Sequence, residues 1–327
     1  MNIVVVKILF QNRKKYILKL TIFFSLCSFI GLSFPVNSEI YMWKDENGKT
    51  HFGDKKIEDA NQQTVDIKFQ ESEWKKYVIE INDVDNVLTD QEKDRIQNDV
   101  DTVYQFFDKK LYFDIYKTVP VKIRLYGKEE GYLRYLSDEY KTNGKHSRGV
   151  YFPSKNEIVT FINVKERWRT FWTIKHESSH AIVDTLTPFL PAWLDEGLAE
   201  NMEALGLKSN SFILQMHSEN HHEANQAYLS GWNFDIETFL STSSDTFYAQ
   251  LEQGGSPNQA NTGELVRMFL STNPGRGFII HLIHVYERGS LLYSSYVADE
   301  HYIGGLKVMQ DDWSRWVARP VSKDIEL

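Results

Sequence analysis

The 327-residue chain is 42% hydrophobic and 14% aromatic, enough apolar material for a sizeable core in one large domain or two smaller ones. Its formal charge of -8 lacks the basic footprint of a nucleic-acid binder, so no nucleic-acid partner is expected. The single cysteine, Cys27, excludes a disulfide framework.

Residues 1–38 are laid out as a signal peptide. Lys7, Arg13, Lys14, Lys15 and Lys19 precede an uncharged, mostly apolar run from Leu20 to Phe34. Pro35 and Val36-Asn37-Ser38 follow, with cleavage expected near Ser38. The run is short for a spanning helix, which needs about 20 residues, and an uncleaved N-terminal anchor is the alternative. Either way the rest of the chain is expected to be exported, to the periplasm or the exterior. Cleavage would remove Cys27, leaving neither thiolate zinc sites nor a cysteine nucleophile.

Residues 39–75 read as a small β-hairpin module. Ile40 to Trp43 and Thr50 to Phe52 are strand-like, and Asn47-Gly48 between them is a hairpin signal. Tyr41, Trp43, Asp45 to Gly48, His51, Phe52 and Asp54 form a pattern that resembles a small N-terminal domain of undefined function on many exported Gram-negative proteins. The resemblance implies export and leaves room for a cell-envelope partner.

Residues 76–327 are expected to form one α+β domain. Tyr77 to Ile81 and Val119 to Tyr126 read as strands. Asp90 to Lys110 between them reads as a helix, with Ile96, Val100, Val103 and Phe107 at helical spacing. Gly149 to Phe152 and Glu157 to Asn163 are two more strands, joined by a turn at Pro153 to Asn156. Helices are expected from about Lys165 to Leu186 and from Trp193 to Leu205. Past Gly206 the chain reads as helical, apart from a polar loop near 253–263.

The chemistry is concentrated in His176-Glu177-Ser178-Ser179-His180. On a helix, residues four apart share a face, so both imidazoles reach one metal ion while Glu177 flanks them. This is the H-E-x-x-H arrangement of zinc metalloproteases. Sixteen residues after His180, Glu196 falls within Trp193-Leu194-Asp195-Glu196-Gly197-Leu198-Ala199-Glu200. The two motifs together resemble the gluzincin superfamily, and within it the bacterial peptidases whose second motif reads Trp-Leu-x-Glu-Gly-x-Ala-Glu. The resemblance is sharp over 172–204. It implies a zincin-like fold, zinc held by His176, His180 and Glu196, Glu177 as general base, and a peptide or protein substrate. Glu200, one turn after Glu196, is the expected orienting carboxylate for a zinc-bound histidine. Such families often take an oxyanion donor, Tyr or His, from the helical region downstream. Tyr248, in Phe247-Tyr248-Ala249-Gln250, matches a position where related sequences have Tyr-Ala-Gln, with a packing tyrosine as the alternative and His217, His221 and His222 as the other candidates.

Three functions fit: an exported zinc endopeptidase, a zinc aminopeptidase or amidase acting on cell-wall peptide, and a non-catalytic envelope-binding protein. The intact Glu177 argues against the last. Several other residues are read as bystanders: His217, His221 and His222 as a solvated face, His281 and His284 as core or edge, Asp184 as exposed, and Asp195 as turned to another helix face. Trp168, Phe171 and Trp172 are read as a core stripe.

Overall fold

In a computed structural model, the structure describes residues 40–44, 50–53, 63–65 and 77–327, except 114–118, 145–146, 188, 210, 233, 254–256 and 321–322. The signal-peptide reading and the Asn47-Gly48 turn lie outside the described residues. The chain divides into two units, Met1–Glu73 and Trp74–Leu327. In the first, β1 (Ile40–Lys44) pairs antiparallel with β2 (Thr50–Gly53), setting Trp43 opposite His51. A third strand, β3 (Gln63–Val65), adds to the other edge of β1. Among the described residues no helix is long and apolar enough to cross a membrane.

The second unit is a mixed helix-and-sheet body, compatible with the expected α+β class. Its larger sheet begins with β4 (Tyr77–Asp83). Helix α1 (Asp90–Lys110) follows, started by a capping box: Thr89 Oγ1 accepts from the Glu92 N–H at 3.3 Å and Glu92 Oε2 accepts from the Thr89 N–H at 2.9 Å. The predicted stripe Ile96, Val100, Val103 and Phe107 is buried. Strand β5 (Val119–Tyr126) pairs parallel with β4, and the short α2 (Glu129–Tyr135) lies beyond it. Strands β6 (Gly149–Phe152) and β7 (Glu157–Phe161) form a hairpin, with β7 parallel to β5. The order β4-β5-β7-β6 leaves the antiparallel β6 at the edge.

The motif helix α3 (Arg167–Leu186) packs across α1, β5, β6 and β7. Its start is pinned by Arg167, which grips both carboxylate oxygens of Glu92 at 2.5 and 2.9 Å. Of the predicted core stripe, only Phe171 is buried. Trp168 is exposed and Trp172 half-buried along the cleft described below, so the stripe is corrected to a boundary. Strand β6 approaches α3 closely because of Gly149. A Cβ there would stand 2.5 Å from Thr173 Cγ2 and 3.4 Å from Glu177 Cγ.

Helix α4 (Ala192–Glu203) is buried along nearly its whole length. The chain then forms an antiparallel hairpin, β8 (Leu205–Lys208) and β9 (Ser211–Leu214), where helix was expected. Helices α5 (Ser218–Leu229), α6 (Ile236–Leu240), α7 (Ser244–Gln253), α8 (Asn258–Leu270), α9 (Asn273–Glu287), α10 (Ser294–His301) and α11 (Gly305–Val317) follow. A last strand, β10 (Ile325–Glu326), pairs with β9.

The polar loop expected near 253–263 is corrected as well, since α8 begins at Asn258. Its polar residues are polar because they are tied inward. Thr262 Oγ1 donates to the Trp193 carbonyl at 3.2 Å, and Asn201 Nδ2 donates to the Gly263 carbonyl at 2.9 Å. Helices α4 and α8 touch through Gly197, where a Cβ would meet Val266 Cγ2 at 2.4 Å and the Thr262 carbonyl at 2.8 Å. The glycine of the second motif is therefore a packing requirement.

Candidate metal centre

Helices α3 and α4 bring their motifs face to face. The ring nitrogens of His176 and His180 and a carboxylate oxygen of Glu196 all lie within 4.8 Å of one another. His176 Nε2 is 3.5 Å from Glu196 Oε2, and His180 Nε2 is 3.8 Å from Glu196 Oε1. Donors about 2.0–2.1 Å from a tetrahedral zinc ion stand about 3.4 Å apart, so the three side chains need only small adjustments to hold one. A two-His, one-carboxylate set is also that of a catalytic zinc site with an open position.

The other imidazole nitrogens face carboxylates. His176 Nδ1 lies 3.0 Å from Glu203 Oε1 and 3.8 Å from Glu200 Oε1. His180 Nδ1 lies 3.1 Å from Asp195 Oδ2. Such partners fix which nitrogen is left for a metal. They also correct the reading of the sequence in two places. Glu203, rather than Glu200, stands closest to His176, and Asp195, set aside as turned away, is the partner of His180. Asp184 is half-buried and accepts from the Tyr151 hydroxyl at 3.2 Å. Glu200 is held by amides, accepting from Asn220 Nδ2 at 2.6 Å and Gln259 Nε2 at 2.7 Å. Glu200 and Glu203 also lie within 4.8 Å of a His176 nitrogen, and the atom they meet is Nδ1, not the Nε2 that faces Glu196.

His217 belongs to the same network. It is buried, with Nε2 3.2 Å from Glu203 Oε2. His221 is buried too, with Nδ1 2.9 Å from Glu264 Oε2. The solvated face predicted for this cluster reduces to His222 alone. His281 and His284 are half-buried edge residues, as expected.

Burial and charge set the protonation states. Burial opposes the charged form of His176, but Glu196 and Glu203 overcome it and hold its pKa well above the ordinary value. His180 is likewise pushed up to about 9, burial being outweighed by Asp195 and Glu196. Glu196 is held down at about 2, because the two imidazoles outweigh its burial. The pKa of Glu177 is raised, first by burial, against the pull of both histidines and a hydrogen bond from the Tyr151 main chain. Buried charges need partners or a metal. Here the carboxylates are met by the two histidines, by the Tyr248 hydroxyl on Glu196 and by the Asn220 and Gln259 amides on Glu200.

These groups line a cleft of about 860 Å³, with Arg148, Tyr151, Trp172 and Gln259 among its other walls. The Tyr248 ring is exposed, but its hydroxyl turns inward and donates to Glu196 Oε1 at 3.1 Å. Burial and Glu196 push its pKa up, so the phenol stays protonated. Every predicted site residue, His176, Glu177, His180, Glu196, Glu200 and Tyr248, is thus brought to one cleft. Sequence reasoning missed Asp195, Glu203 and His217 as members. Glu203 had a signal, since it lies seven residues after Glu196, two turns along the same helix face.

Residues 27–72 match the model of a domain of unknown function, DUF4124, a domain typical of exported proteins. No curated protein matches the chain.

Proposed function

We propose that the Trp74–Leu327 unit is a zincin-like zinc peptidase that hydrolyses peptide or protein substrates outside the cytoplasm. The observation that carries this reading is the convergence of His176, His180 and Glu196 beside Glu177 on the wall of an open cleft. The likeness of residues 27–72 to a domain of exported proteins supports the location.

Bound zinc supplies Lewis acidity, lowering the pKa of water from 15.7 to roughly 7 and polarising the scissile carbonyl. The protein's own groups do the rest. Glu177 is a carboxylate whose proton affinity is raised by burial, which suits it to take a proton from the attacking water and return it to the leaving amine. Glu203 and Asp195 hold the imidazoles with Nε2 toward Glu196. The neutral Tyr248 hydroxyl is the donor at hand for a developing oxyanion.

The test is elemental analysis of the purified full chain, with Glu196→Ala and Glu177→Gln beside it. One zinc per wild-type chain, lost in Glu196→Ala, supports the site. Glu177→Gln is expected to keep the metal and lose peptide hydrolysis. A wild type that takes up no zinc when offered it overturns the reading.

A further inference from the structure

A second cavity, of about 880 Å³, lies among helices α8 to α11 and the C-terminal segment. It shares no lining residue with the metal cleft. Its inner wall is apolar and buried, made by Met268, Phe278 and Trp316. Its rim is exposed and basic, with Arg315, Arg319 and Lys323, and the exposed Ile303 beside them.

The charges at this rim do not cancel. Arg315 pairs with Asp312, which also accepts from the Tyr302 hydroxyl at 2.7 Å. Arg319 has no carboxylate partner among the described residues; its guanidinium lies over the Trp316 ring, 4.7 Å from the centroid. Lys323 likewise has none among them. Behind the wall, Glu264 is buried and away from the rim; its Oε2 accepts from Trp316 Nε1 at 2.8 Å and faces His221 Nδ1 at 2.9 Å, while its Oε1 has no hydrogen-bond partner among the described residues. His221 Nε2 lies 2.8 Å from the Arg319 carbonyl, so acceptors stand at both ring nitrogens, an arrangement that suits an imidazolium opposite Glu264. Two cations without a carboxylate partner among the described residues therefore stand four residues apart at the mouth of an apolar pocket, on a chain whose net charge is -8.

We propose that this cavity binds an amphiphile with one anionic head group, the head held by Arg319 and Lys323 and the apolar tail against Met268, Phe278 and Trp316. The volume suits a small-molecule ligand, and cations confined to one rim suit a single head group better than a distributed acidic surface.

The test is calorimetric titration of the full chain with sodium decanoate below its micellar concentration, beside decanol and decyltrimethylammonium. One decanoate is expected to bind per chain, saturably. Decanol should bind at least tenfold more weakly, and the cationic analogue should not bind. The Arg319→Ala/Lys323→Ala double variant, altered only at exposed positions, should weaken decanoate at least tenfold with an unchanged melting temperature. Ile303→Asp, placed at the rim, should weaken it independently. Absence of saturable binding, equal binding of the cationic analogue, or full binding by both variants overturns the proposal. A short acidic peptide that displaces decanoate at lower concentration also overturns it, in favour of a polypeptide partner.

Discussion

His180 Nδ1 and Asp195 Oδ2 stand 3.1 Å apart, although they lie on different helices and Asp195 directly precedes the carboxylate that faces both imidazoles. One dipeptide, Asp195-Glu196, thus presents the carboxylate that faces both imidazole Nε2 atoms and, under the proposed zinc site, the acceptor that orients the second histidine. Removing such an acceptor lowers metal affinity about 10–100-fold. Asp195→Asn is expected to weaken zinc binding in that range, measured by competition with a chromogenic chelator. Asp184→Asn should leave it unchanged. Equal effects from the two variants would remove the special role of Asp195.

Tyr248→Phe separates two roles for the hydroxyl that donates to Glu196. An oxyanion donor contributes about 10²–10³-fold to kcat. The variant should therefore lose kcat on that scale while keeping its zinc and its KM. A variant that instead loses zinc shows a hydroxyl that only braces Glu196.

The pH dependence of the metal-free protein has a definite sign. His180 titrates near 9 when folded and near 6.5 when unfolded. The stability it contributes is complete below pH 6.5 and drains away as the pH rises toward 9. Lys175, held at about 8 by burial, opposes this only from pH 8 upward, where the folded protein has already shed that proton and the unfolded chain has not. Between pH 6.5 and 8 the melting temperature of the metal-free protein should fall. Zinc must displace protons from His176 and His180, so the rise in melting temperature it produces should grow over the same interval. Calorimetry in buffers of different ionisation enthalpy should detect proton release on binding.

Gly197→Ala places a methyl against Val266 and the Thr262 carbonyl at the crossing of α4 and α8. Overpacking of this kind costs about 1–3 kcal/mol. A melting temperature lowered by several degrees is expected. Since α4 carries Glu196, zinc affinity should fall with it.

Much of the candidate site and the elements around it was legible because it is local. The stripe of α1 and both motif helices are written in consecutive residues, where periodicity applies. What escaped depends on distant partners. His217 and His221 read as a polar face because their carboxylates, Glu203 and Glu264, lie 14 and 43 residues away on other helices. The start of α8 escaped because polar residues such as Thr262, which donates to the Trp193 carbonyl, are buried there, which hydrophobic spacing does not register. The β8–β9 hairpin escaped because its strands are four residues long and its turn uses Ser209 at φ 48° without a glycine.

Asp195, Glu196, Glu200 and Glu203 all belong to α4, while both imidazoles belong to α3. The site is therefore a seam between two helices, and a shift of α4 would move Glu196, Asp195 and Glu203 away from the imidazoles together. In the proposed zinc peptidase, metal retention and the docking of a single helix become one event.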